Sequence, residues 1–185
     1  MMANVVDVIS DASPLIYFAK MAQLEFLAQV IGSVAIPPAV YREAVEVGQE
    51  LGYRDADRIV AAIGAGWIVP VELTGTELQM ADEIGSDPRL GPGECETIAC
   101  AVCRRWTALL HDRRARHLAA VRGVRTMQAV DVLFLALLRR HFSLDKFKRL
   151  LSHLAAVSGM DAATRLEREV LAEEIAIQLE LRRKE

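Results

Sequence analysis

Four carboxylates in this 185-residue chain fall where strands should hand over to helices: Asp11, Glu43, Glu94 and Asp112. Asp11 follows an apolar run ending Val8-Ile9-Ser10, and Asp112 follows Ala108-Leu109-Leu110-His111. Glu94 comes after Leu90-Gly91-Pro92-Gly93 and opens a helix-like stretch, while Glu43 lies one turn into a segment opened by Pro37-Pro38. In an open parallel sheet the binding crevice lies at the carboxyl ends of the strands. Acids placed there converge although distant in sequence. Converging carboxylates with no lysine among them repel one another unless a divalent cation sits between them. Such a set serves metal-dependent chemistry, most naturally on a phosphodiester.

Each acid also has an ordinary local explanation. Ser13-Pro14 predicts an N-cap followed by proline at the first helical position, which leaves Asp11 free of capping duty. Asp7 alternates onto the same face of the first strand as Asp11, but deeper, and reads as a structural residue. Glu94 and Glu96 are two residues apart on one helix and point to different faces, so only one of them leads at a given site. Both are favoured in a first turn by the helix dipole in any case. Asp112 alone reads as the cap of a helix starting at Arg113, and Glu43 alone as an exposed helical glutamate.

The charge distribution supports the joint explanation. Residues 1–103 carry 15 acids against 5 bases, whereas residues 104–125 carry 7 arginines against the single acid Asp112. A positive surface beside an acidic pocket suits a polyanionic substrate. Arg113, Arg114 and Arg116 are placed to grip phosphates, which positions a strand without choosing its sequence. Taken singly, each arginine reads as a solvated helix face.

The elements that must position these residues follow a regular plan. Short β-branched runs predict strands at 5–10, 34–36, 67–73, 107–111 and 124–127. Pro70 marks the third of them as an edge strand. Helices are expected from Ser13-Pro14 to about Val30, from Pro38 to about Val47, and over 55–63, 76–84, 92–105 and 113–122, the last closed by Gly123. Alternating strands and helices predict an α/β fold with a parallel sheet covered on both faces. Beyond residue 127 the pattern is helical only: 129–141, 144–157, and a long amphipathic helix capped by Asp161. Two regions are expected, a nuclease-type domain over 1–142 and a C-terminal helical extension over 143–185.

Composition narrows the class. A hydrophobic share of 52% excludes a disordered chain, and the apolar runs are too short and too charged to span a bilayer. With no secretory-type leader before the first strand, a cytoplasmic protein is expected. Cys95, Cys100 and Cys103 crowd one helix in odd number, which argues against a disulfide framework and for small packed thiols. A zinc site from Cys100, Cys103 and His111 would need a fourth ligand and a loop that a helix does not offer. A phosphate-accepting receiver domain would want a lysine late in the sheet, where the last strand offers only Arg125.

Four blocks of sequence together carry a family resemblance: Val-Ile-Ser-Asp-Ala-Ser-Pro-Leu (8–15), Ile-Pro-Pro-Ala-Val-Tyr-Arg-Glu (36–43), Leu-Gly-Pro-Gly-Glu-Cys-Glu-Thr-Ile-Ala (90–99) and Leu-Leu-His-Asp-Arg-Arg-Ala-Arg (109–116). In this order and spacing they resemble the PIN domain, most closely its prokaryotic, toxin-related branch with a Gly-x-Gly-Glu helix start. The resemblance covers roughly residues 4–130. It implies an α/β/α sandwich around a parallel sheet and a ribonuclease dependent on Mg²⁺ or Mn²⁺. Asp11, Glu43, Glu94 and Asp112 would be its catalytic metal ligands, with Ser13 and Glu96 in support. It also implies a homodimer, RNA as substrate, and a toxin role opposed by an antitoxin protein. Arg113 stands where this branch often has a second acid. A catalytically degenerate nucleic-acid-binding or regulatory protein is the competing expectation.

Overall fold

The computed structural model describes residues 7–182. Five short strands form one parallel sheet: β1 (Val8–Ser10), β2 (Val34–Ile36), β3 (Ile68–Pro70), β4 (Thr107–Leu109) and β5 (Thr126–Met127). Their spatial order is β3-β2-β1-β4-β5, so β3 is an edge strand, as Pro70 requires. Val5 and Val6 lie outside the described residues. Asp7 precedes β1 and is exposed rather than deep in the strand; its carbonyl accepts the Thr107 amide at 2.9 Å.

Two helical layers cover the sheet. On one side α1 (Ala12–Lys20), α2 (Leu24–Ile31) and α5 (Arg54–Gly64) pack together. On the other, α6 (Gly75–Ile84), α7 (Pro92–Arg104) and α8 (Arg113–Val121) pack around α7. Ile9, Ala35 and Ala108 face Ile98, Cys100 and Ala115 of this second layer in one buried cluster. Their neighbours Val8, Val34 and Leu109 alternate to the opposite face, and all three are buried as well. The strands are therefore apolar on both faces, as a doubly covered parallel sheet demands.

Three local expectations change. The single helix predicted up to about Val30 is two, broken at Met21–Gln23. Ala22 takes a left-handed φ of 55°, and Gln23 donates to the Phe18 carbonyl at 2.8 Å, a Schellman-type ending. An alanine there gives no glycine signal. The first helix starts at Ala12, with Asp11 rather than Ser13 in the cap position. The segment opened by Pro38 continues to Glu50 as α3 (Pro38–Tyr41), a π-helical segment Arg42–Val47 and α4 (Gly48–Glu50). Its end packs tightly on α5: a Cβ on Gly48 would stand 2.8 Å from the Ala56 Cβ.

The chain divides into two compact units between Gln128 and Ala129, earlier than the punctuation at 142–143 suggests. The second unit holds α9 (Ala129–Leu138), α10 (Leu144–Ser158) and α11 (Ala162–Leu181). Phe134 and Phe147 pack at 4.8 Å between ring centres, tying α9 to α10. Lys148 pairs with Glu173 and ties α10 to α11. Among the described residues, no helix is long and apolar enough to cross a membrane.

Candidate active site

The sheet order places a topological switch point between β1 and β4. The chain leaves β1 for the α1 layer and leaves β4 for the α8 layer, opening a crevice at the carboxyl ends of these neighbouring strands. Asp11 and Asp112 flank that crevice. The Asp11 amide donates to the Leu109 carbonyl at 3.0 Å, which fixes its backbone at the end of β4. Asp11 is only 5% exposed, and no side-chain cap bond forms there. Asp11 therefore does not cap α1 through its side chain, though not for the expected reason, since Ser13 lies inside the helix.

All four expected acids reach this crevice. Glu94 enters from the first turn of α7, and Glu43 from the π-helical segment, an irregularity frequent at functional sites. Gly93 sits between them. A Cβ there would lie 3.3 Å from Asp11 Oδ1, 3.5 Å from Glu43 Oε2 and 3.1 Å from Val40 Cγ2. The missing side chain lets two carboxylates from different elements face the same small space. Burial pushes the Asp11 carboxyl up to about 6, with the charges of Glu43 and Asp112 adding to the rise and nearby backbone amides opposing it. Burial, then the charge of Glu94, raises Glu43. Burial also raises Glu94, with Asp11 and Asp112 contributing. The four groups form one mutually repelling set.

Two acids are partly committed. Glu94 Oε2 accepts the Gly91 amide at 2.9 Å, half of a capping box, since glycine returns no hydroxyl. Asp112 Oδ1 accepts the amides of Arg114 and Ala115 at 2.7 and 2.9 Å, so the capping role considered for it is present. Each keeps a second oxygen outside these bonds. Oxygen donors of this kind suit a hard cation such as Mg²⁺ or Mn²⁺ rather than zinc. The set is open: among the described residues, no three His, Cys, Asp or Glu side chains close into a metal-holding group.

Glu96 points elsewhere. Its Oε2 accepts the Ala39 amide at 2.8 Å and anchors the start of α3, the element leading to Glu43. Arg113 and Arg114 are exposed at the start of α8, whereas Arg116 is half-buried with Nε lacking a hydrogen-bond partner. Two residues beyond the expected set border the acids. Tyr17 and His111 meet edge-to-face at 5.1 Å. Burial, and then the charge of Asp11, raises the Tyr17 phenol against a lowering bond with Ser13. Burial and Arg116 lower His111, while Asp112 pulls the other way. The sequence signal for Tyr17 is its spacing of four from Ser13, which puts both on one face of α1. Cys95 and Cys100 are buried free thiols, and Cys103 is an exposed one.

The chain thus combines a doubly covered parallel sheet with acids at its switch point. A PIN domain family model matches residues 7–175, and the chain belongs to that family. PIN domains are generally nucleases that use divalent metal ions. The match crosses the division at Gln128–Ala129, so α9, α10 and part of α11 fall within it. No curated protein matches the chain.

Proposed function

We propose that the chain is a metal-dependent ribonuclease that hydrolyses RNA phosphodiester bonds. What supports this is the convergence of Asp11, Glu43, Glu94 and Asp112 on one crevice, where burial and neighbouring acids raise the first three carboxyls and, among the described residues, no lysine or arginine pairs with any of the four. Mg²⁺ or Mn²⁺ bound by these four residues would neutralise charge on the scissile phosphate and lower the pKa of a water. The protein's own contributions are distinct. Gly93 keeps space between Asp11 and Glu43, Glu96 secures the helix start leading to Glu43, and Arg113 and Arg114 present exposed positive charge where RNA phosphates would arrive. A cytoplasmic homodimer acting as the toxin of a toxin–antitoxin pair is the finer form of the proposal, supported by the sequence resemblance.

The test is cleavage of single-stranded RNA in Mg²⁺ or Mn²⁺ by the full chain and by Asp11→Asn. Cleavage should stop with a chelator and fall at least ~100-fold in the variant, beyond typical outer-shell effects. Unchanged cleavage by Asp11→Asn would sink the proposal. The capping bonds of Glu94 and Asp112 favour a second reading, a non-catalytic RNA-binding protein. RNA bound but intact after long incubation in Mn²⁺ would decide for it.

A further inference from the structure

A groove of about 720 Å³, within the usual range for ligand sites, opens between α8 and the segment leading into α7. Both of its walls run to the acid crevice. One wall carries Arg89 and Leu90 and continues through Gly91-Pro92-Gly93 to Glu94. The other is one face of α8, carrying Arg113, Arg114 and His117, then Val121, and it starts at Asp112.

The lining has two chemistries. Asp87 is the groove's one acid, and Arg89 already neutralises it through bonds of 2.7 and 2.6 Å. That pairing pulls Asp87 down to about 2, and the Arg114 charge adds to it. Arg113 and Arg114 leave the lining with an excess of positive charge. Beside them lies apolar surface: Val121 is 71% exposed on the last turn of α8, next to the half-buried Leu90 and Leu118. Positive charge alternating with apolar surface fits a chain whose phosphates and bases alternate.

We infer that this groove seats the RNA strand on one side of the scissile phosphate, its phosphates on Arg113 and Arg114 and a base against Leu118 and Val121. The inference rests on the ribonuclease proposal and extends it to a binding path. An acidic protein segment is the competing occupant, and the salt-dependent RNA titration separates the two.

The experiment uses the full chain with Asp11→Asn, which keeps RNA intact, and a fluorescent single-stranded decanucleotide titrated at several salt concentrations. Val121→Glu places a negative charge in the groove, and Arg114→Ala removes a positive one while keeping the capped amide. Each should weaken binding about tenfold. Arg114→Ala should also flatten the slope of log affinity against log salt by about 0.7, the value for one lost single-strand contact. Leu78→Glu, exposed on α6, serves as the control and should bind like the parent. If the unmodified chain cleaves RNA but neither groove substitution changes binding, the groove assignment falls alone, as it would with a protein occupant. If the chain neither cleaves nor binds RNA, the ribonuclease proposal falls, and the groove assignment with it.

Discussion

Asp11 is held at the end of β1 by the β4 carbonyl of Leu109, and there its charge is unfavourable. Its pKa stands at about 6, raised from an ordinary 3.8. Above pH 6 the folded protein holds an ionised, nearly buried carboxylate next to two others. Below about pH 4 the group is protonated in folded and unfolded chains alike and the penalty vanishes. Stability from this group therefore falls as pH rises from 4 to 6, by up to about 3 kcal/mol. Asp11→Asn, melted in chelator, should be more stable than the parent at pH 7.5, and the difference should shrink toward zero by pH 4. Mn²⁺ should stabilise the parent at pH 7.5 and do little for the variant, since a ligand stabilises only the state that binds it. Equal stabilisation of both proteins would place the cation elsewhere.

At the scale of elements, α6 and α7 are joined by a charged pair that the arginine count alone reads differently. Arg104 belongs to the basic stretch, yet it donates to both oxygens of Glu77 at 2.6 and 2.8 Å and to the Glu72 carbonyl at 2.7 Å. Glu77 is 1% exposed and also closes the capping box of α6 with Thr74. Arg104 is thus structural and drops out of the exposed basic charge of this stretch. Removing one partner of such a pair leaves an uncompensated buried charge, so Glu77→Gln should lose about 3 kcal/mol in a urea melt. The pairing holds the Glu77 carboxyl down at about 2. Its contribution is complete above pH 4.5 and is lost as pH falls toward 2. A melt at pH 7 in which Glu77→Gln matches the parent would show that the pair contributes nothing net. The break at Ala22 and the π-helical segment also escape sequence reading, because their residues keep an ordinary helical pattern.

For the whole molecule, α11 has two apolar sides. Ala172 is buried and Ile175 and Leu179 are half-buried, whereas Leu166, Val170, Ile177 and Leu181 form a second stripe at spacings of four and seven, each 46–60% exposed. Sequence periodicity names α11 as amphipathic but does not say which stripe is used. A second copy of the chain is the proposed occupant of the exposed one, because four- and seven-residue spacing is the seam spacing of paired helices. Leu166→Glu with Ile177→Glu should move the protein from dimer to monomer in sedimentation without lowering its melting temperature by more than a few degrees. An unchanged sedimentation coefficient would assign the dimer contact elsewhere, or show that the chain is monomeric.

By itself the sequence determined the parallel α/β plan and the edge position of β3, and it named the four candidate acids. Each of those features is written locally: apolar runs for strands, Pro70 for the edge, an acid beside a strand end or glycine turn. Only the tertiary structure decided how the acids are used. It left Asp11 at a cap position without a side-chain cap bond, engaged Glu94 and Asp112 in capping, sent Glu96 to the Ala39 amide, and brought Tyr17 and His111 to the rim. It also divided the chain at Gln128, where no glycine or proline marks a boundary. These outcomes depend on which strands are neighbours and on the few ångströms between side chains from different elements, and neither is encoded in the pattern of any one segment.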